Sequence, residues 1–138
     1  MQRVRTWRWA LVASLVFAAC SDDDGAGADA VPRVWIFPNP GSGEQAGLSG
    51  TLDYDSESDC FFMRESGEAI VWPEGTTGTA DGPGVVLPNG ETARVGDMIR
   101  GGGGHHSGHI AQYEVAPECV TDSLTVFQHE DISVEISR

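Results

Sequence analysis

The chain reads as an all-β protein, and three observations carry that reading. From Gly47 onward, short runs of alternating apolar and polar residues are separated by turn residues at the spacings of a small sandwich or barrel. No window holds a helical apolar period long enough to compete with those runs. The pair Asn89-Gly90 lies between two β-prone runs, and an Asn-Gly pair tolerates the positive φ angles that a tight hairpin turn demands.

Each element follows from its own residues. Leu52 and Tyr54 alternate with Thr51, Asp53 and Asp55, which turns one face inward and one to water. Cys60-Phe61-Phe62-Met63 and Ala69-Ile70-Val71-Trp72 are apolar throughout and predict strands buried on both sides. Val85-Val86-Leu87 and Thr92-Ala93-Arg94-Val95 form the hairpin around Asn89-Gly90, and Gly96-Asp97 makes a second turn. Met98-Ile99-Arg100 is then expected to complete a three-stranded meander that ends in the glycine run 101–104. Leu124 and Val126 alternate with Thr125, and Ile132, Val134 and Ile136 with Ser133 and Glu135, each again placing the apolar set inward.

Ahead of these runs, residues 21–33 are rich in Asp, Gly and Ala and have little to bury, so they read as linker. Val34-Trp35-Ile36-Phe37 is a first strand or an apolar strap, broken by Pro38-Asn39-Pro40-Gly41. The expected organisation is a signal segment over 1–19, a lipidated cysteine and flexible linker over 20–46, and a disulfide-linked β domain over 47–138. Roughly 90 residues can bury only a little over about 60% of their unfolded surface, which allows one small core. A small closed or partly open antiparallel barrel with OB-like connectivity fits the strand count and removes exposed edges. A small two-sheet β-sandwich is the alternative.

The first 20 residues carry an address. Arg3, Arg5 and Arg8 precede an apolar stretch from Trp9 to Ala19, and Asp22, Asp23 and Asp24 follow soon after. That stretch falls well short of the roughly 20 apolar residues of a transmembrane helix. Val16-Phe17-Ala18-Ala19-Cys20 resembles the lipobox of bacterial lipoproteins, with Phe17 where that pattern prefers leucine. The resemblance implies acylation of Cys20 by palmitate-type chains, cleavage at its amino side, and a lipid-anchored protein on the extracytoplasmic face of the cell membrane. The competing reading is ordinary signal cleavage after Ala18 or Ala19, which leaves a soluble secreted chain with a free thiol.

The chain has three cysteines. An odd count in a secreted protein needs a separate explanation, and lipidation of Cys20 supplies one. Cys60 and Cys119 then remain as a pair that an oxidising compartment joins. Neither has a CxxC or CxxH neighbour, which disfavours metal ligation. A bridge of this span constrains the unfolded chain by roughly 4 kcal/mol, a large share of a small domain's stability.

A further resemblance rests on Trp72-Pro73-Glu74-Gly75-Thr76-Thr77, the Pro88-Asn89-Gly90 hairpin, Val95-Gly96-Asp97 and the glycine run. Together they look like a small secreted bacterial domain of uncharacterised function that recurs in lipoproteins. The resemblance covers about half of the mature chain, implies fold, and transfers no catalytic residue.

Three of the 8 cationic residues lie ahead of Cys20, so the chain from Cys20 onward carries 5 cationic against 21 acidic groups, a net charge of −16. Phosphate binding needs a basic stripe, whereas Arg33, Arg64, Arg94, Arg100 and Arg138 are scattered singly, so nucleic acid is not an expected partner. An anionic membrane surface repels such a domain, and attachment therefore rests on the lipid.

Candidate chemistry concentrates in His105, His106 and His109. Imidazole is the commonest ligand for zinc, copper and nickel, and a carboxylate such as Asp97 or Glu114 could complete a site. The opposing reading is a flexible, solvated glycine-rich loop. Ser107 lies among these histidines, yet G-x-S-x-G is absent and no set supplies nucleophile, base and charge stabiliser, so an enzyme is not expected. Trp35, Trp72, Phe61 and Phe62 are expected in the core, with stacking on a sugar or peptide as the alternative. The expected function is a non-catalytic binding module of the cell envelope for a protein, glycan or small ligand. The alternative is divalent metal capture through the histidine loop, which would be the one cofactor.

Overall fold

The structure is a computed structural model that describes residues 30–38, 46–107, 115, 117–119 and 121–137. The signal segment, Cys20 and His109 lie outside the described residues. The protein is all-β: a closed five-stranded barrel with a separate three-stranded sheet and one disulfide.

The barrel is a ring. Strand β2 (Ala46–Asp55) pairs antiparallel with β3 (Cys60–Met63), which meets β4 (Ala69–Pro73) through Phe62 and Ala69. Strand β4 runs parallel to β9 (Ser123–Phe127), β9 pairs antiparallel with β8 (Met98–Ser107), and β8 returns to β2. This is the OB-like barrel anticipated from the strand count; the sandwich alternative falls away because no edge separates two sheets. Strands β1 (Trp35–Phe37) and β10 (Ser133–Glu135) extend the sheet beyond the ring, pairing with β4 and β8 respectively.

Period-2 alternation puts the strands' two faces into two cores. Phe61, Met63, Ile70, Trp72, Leu48, Leu52, Ile99 and Phe127 fill the barrel interior. The opposite faces of β3, β4 and β9 carry Cys60, Ala69, Val71, Leu124 and Val126, which form an outer core with Phe37, Val115 and Cys119. Strands β3 and β4 are thus buried on both sides, as their unbroken apolar runs require. Inside, Trp72 stacks on Phe127 at 5.8 Å between centroids and meets Phe61 edge-on at 6.1 Å. The rings offered as stacking surfaces are interior side chains, apart from the half-buried Trp35 and Phe62.

The small sheet is β5 (Thr77–Gly78), β6 (Gly84–Val86) and β7 (Thr92–Arg94). Its Val85, Leu87 and Ala93 belong to the barrel's interior core, so it closes the end of the ring where β4 finishes and β8 begins. The hairpin around Asn89-Gly90 is present, with Gly90 at φ +86° and the Leu87 N–H donating to the Glu91 carbonyl. Asp97 pins the second turn, its carboxylate accepting from the Arg94 and Ser137 N–H groups. The expected meander differs in its third strand: β5 takes that place, while 98–100 leaves for the barrel.

The largest departure from expectation is the glycine run. Residues 101–104 continue β8 as a barrel strand rather than forming a loop. One edge of β8 pairs with β2 over 98–103; the other pairs first with β10 over 98–100 and then with β9 over 103–107. At that change of partner the strand is crowded on both faces. On one face a Cβ on Gly101 would lie 2.9 Å from the Phe127 ring and one on Gly103 2.0 Å from the Val126 carbonyl oxygen; on the other, a Cβ on Gly102 would lie 2.8 Å from the His129 ring. At Gly103 glycine is needed because neighbouring backbone occupies the side-chain space, whereas at Gly101 packed side chains fill it. Ile136 also departs from its pattern, being 75% exposed, while Ile132 is buried.

The folded body begins before Gly47. Residues 33–37 lie against it, with β1 parallel to β4. The Arg33 N–H donates to Asp59 at 3.0 Å, its guanidinium lies 5.4 Å over the Trp35 ring, and the Trp35 indole N–H donates to Cys119 Sγ at 3.3 Å. The Cys60–Cys119 disulfide is present, joining β3 to the 3-10 turn Pro117–Cys119 inside the outer core.

These contacts set an expected mutational contrast. Gly103→Ala should destabilise the domain by about 3 kcal/mol or more, since the obstruction is backbone and cannot swing aside. Gly47→Ala, with nothing within 4 Å of its Cβ position, should stay within about 0.5 kcal/mol. Urea unfolding of the two variants beside the parent measures both.

Candidate functional site

Three places on the barrel could carry function, and the strand geometry ranks them. The outer face of the second and third strands of an OB-like barrel is a general docking surface for oligonucleotides and sugars. Here those strands are β3 and β4. Val115 and Cys119 from the β8–β9 connection, with Trp35 and Phe37 from the N-terminal strap, cover that face, and the disulfide holds the cover down. It is core, not open surface.

The second place is the barrel mouth away from the small sheet, where β4 starts and β8 ends. The β3–β4 turn closes through Gly67 at φ +70° and the Met63 N–H donating to the Glu68 carbonyl at 2.9 Å. This aims the Glu68 side chain at β9 and β8. Its carboxylate accepts from the Ser123 hydroxyl, from Thr125 Oγ1 at 2.7 Å and from His105 Nδ1 at 2.7 Å. Thr125 is fully buried, contrary to the outward placing expected from its alternation with Leu124 and Val126. Burial pushes the Glu68 carboxyl upward, but the hydrogen bonds from Ser123, Thr125 and His105, with the imidazole's charge, outweigh it and hold the group below the usual glutamate range. The cluster ties the turn, β8 and β9 together around one carboxylate.

Of the candidate metal residues, His105 and His106 do not converge there, and His109 lies outside the described residues. His105 lies opposite Thr125 and His106 opposite Leu124, so adjacent positions on β8 send the two rings to opposite faces of the sheet. His105 turns to Glu68, whereas His106 Nε2 lies 3.2 Å from the Gln128 amide nitrogen. Among the described residues no group of three or more His, Cys, Asp or Glu side chains is arranged to hold a metal ion. Gln128 and His129 each keep one buried polar atom without a hydrogen-bond partner.

The third place is an open groove of about 290 Å³ on the outside of the β2–β3 hairpin, lined by Asp53, Tyr54, Asp55, Phe62, Met63, Arg64 and Gly67. Arg64 Nε lies 3.2 Å from Asp53, and both side chains are about half exposed. Hydrogen bonds from the Ser58 hydroxyl and the Glu57 N–H hold the Asp55 carboxyl below its usual range. Burial, the hydrogen bond to Asp59 and the nearby carboxylates push Tyr54 up to about 12 against the opposing Arg33 charge. The groove therefore presents an apolar floor, fixed carboxylates and one arginine to solvent. Neither it nor Glu68 was singled out among the sequence candidates: Glu68 meets partners distant along the chain, whereas the groove is formed by neighbouring residues whose pattern reads as an ordinary strand and turn.

No protein-family model matches the chain, and no curated protein or solved structure matches it either.

The Glu68 cluster has a signed consequence for pH. A carboxyl whose folded-state pKa is depressed contributes stability above its unfolded value, about 4.3, and that contribution is lost as pH falls through the lower folded value. Glu68→Gln should be less stable by about 1–3 kcal/mol at neutral pH. It should also lose stability less steeply on acidification than the parent. Thermal unfolding across the acid range reads both.

Proposed function

We propose that this protein is a lipid-anchored, non-catalytic binding module of the cell envelope, held on the extracytoplasmic face of the membrane through Cys20 and binding an envelope protein, glycan or small ligand. The observation that carries the reading is the buried Cys60–Cys119 bridge, which belongs to an oxidising compartment and leaves Cys20 as the one cysteine outside the pair. The covered outer face supports it further by directing binding to the open β2–β3 groove. The acidic surface keeps the tethered domain soluble and away from the anionic headgroups beneath it. Capture of a divalent metal by His105, His106 and His109 has less support, because β8 turns the first two rings apart.

In a bacterial host that processes lipoproteins, the full chain should enter the detergent phase and show a mass that includes acyl chains on a product beginning at Cys20. Cys20→Ser should move it to the aqueous phase. A wild-type product that is soluble and begins at Ala19 or Cys20 with an unmodified thiol would refute the anchor. For binding, a photo-crosslinker at Asp55 should form an adduct in intact cells that one at Gly47, at the other end of β2, does not.

A further inference from the structure

We infer that Asn89 is a spontaneous modification site whose conversion to a carboxylate unlatches the β6–β7 hairpin from the barrel. The chain has two asparagines, Asn39 and Asn89. Asn39 precedes Pro40, whose nitrogen carries no hydrogen and cannot act as a nucleophile on the side-chain amide. Asn89 precedes Gly90, whose nitrogen has no side chain beside it; its N–H donates to the Leu87 carbonyl at 2.9 Å, so ring closure follows opening of that turn hydrogen bond. Both residues are exposed at the hairpin tip, and nothing lies within 4 Å of the position a Cβ would take on Gly90.

The reaction needs only hydroxide and water. Deprotonated Gly90 nitrogen attacks Asn89 Cγ, a nitrogen–carbon bond closes a five-membered succinimide, and the side-chain carbon–nitrogen bond breaks with release of ammonia. Water then opens the ring. Addition at Cγ gives aspartate, and addition at the Asn89 backbone carbonyl gives isoaspartate, in which the main chain runs through the side-chain carbon.

The structural consequence follows from what the amide holds. Asn89 Nδ2 donates to the Ile132 carbonyl at 2.9 Å and to Glu91 Oε2 at 3.1 Å, while its Oδ1 accepts from the Glu91 N–H. Replacing the NH₂ with a carboxylate oxygen removes the donor and sets a negative charge against a carbonyl and a second carboxylate. Ile132 is buried in the interior core beside Gly101, so the lost contact ties the tip to the segment that leads into β10. The Asp81-Gly82 pair offers the same backbone nucleophile without the same outcome. The Arg94 guanidinium grips both Asp81 oxygens at 2.7 and 2.8 Å and holds the carboxyl ionised, which makes it a poor target for attack.

The test ages the folded full chain at mildly alkaline pH and follows intact mass, peptide mapping and amide exchange. The expected result is the mass gain of one amide-to-acid conversion, mapped to Asn89 and absent in Asn89→Gln. Amide exchange of the hairpin tip should rise roughly tenfold, the equivalent of one lost hydrogen bond, and unaged Asn89→Asp should show the same rise. An unchanged mass, or a gain mapped to Asn39, overturns the site. Conversion at Asn89 with unchanged exchange, in the aged chain or in Asn89→Asp, overturns the unlatching.

Discussion

Everything in this fold depends on how closely β8 can approach β9 and β2. The ring closes because β8 passes between them with no side chains over the glycine run, where the Val126 carbonyl, the Phe127 ring and Leu48 occupy the space a Cβ would need. Strand β8 changes partner there from β10 to β9. One extra methyl group at Gly103 would force β9 outward. The outer core, the cover over it and the Glu68 cluster all hang on β9, so the glycines act as a spacing element for the whole body.

A closed ring of short strands has little interior, and this protein compensates by using both sides of one wall. Strands β3, β4 and β9 face the barrel core with one set of side chains and a second core with the other. That second core needs a roof, which the strap and the β8–β9 connection provide and the disulfide secures. The same roof decides where a ligand can sit. By covering the face that such barrels commonly expose, it leaves the β2–β3 groove and the polar mouth as open surfaces.

Much of the architecture was readable from local pattern. The runs Cys60–Met63 and Ala69–Trp72 announced two-sided burial, Asn89-Gly90 announced a hairpin, and the odd cysteine count isolated Cys60 and Cys119. What escaped was set by distant neighbours. Four consecutive glycines resemble a loop by composition, and only the presence of Phe127 and Val126 across the sheet makes them a strand. Thr125 alternates as a solvent-facing residue would, yet it is buried because Glu68 reaches it from the far side of the chain. His105 and His106 part for a local reason that depends on strand geometry: two adjacent residues on an extended backbone cannot share a face.

The parallel contact of β4 with β9 has a kinetic side. Its register joins Ala69 to Leu124, with the whole small sheet and β8 lying between them in the chain. Such a pairing cannot form from a hairpin and must await the search of a long intervening segment, which places this topology among the slower-folding small domains. The β6–β7 hairpin and the β2–β3 hairpin involve near neighbours and carry no such delay. The order of events written into the connectivity is therefore hairpins first and ring closure last, with the sulfur bridge spanning the same long segment that closure must bring together.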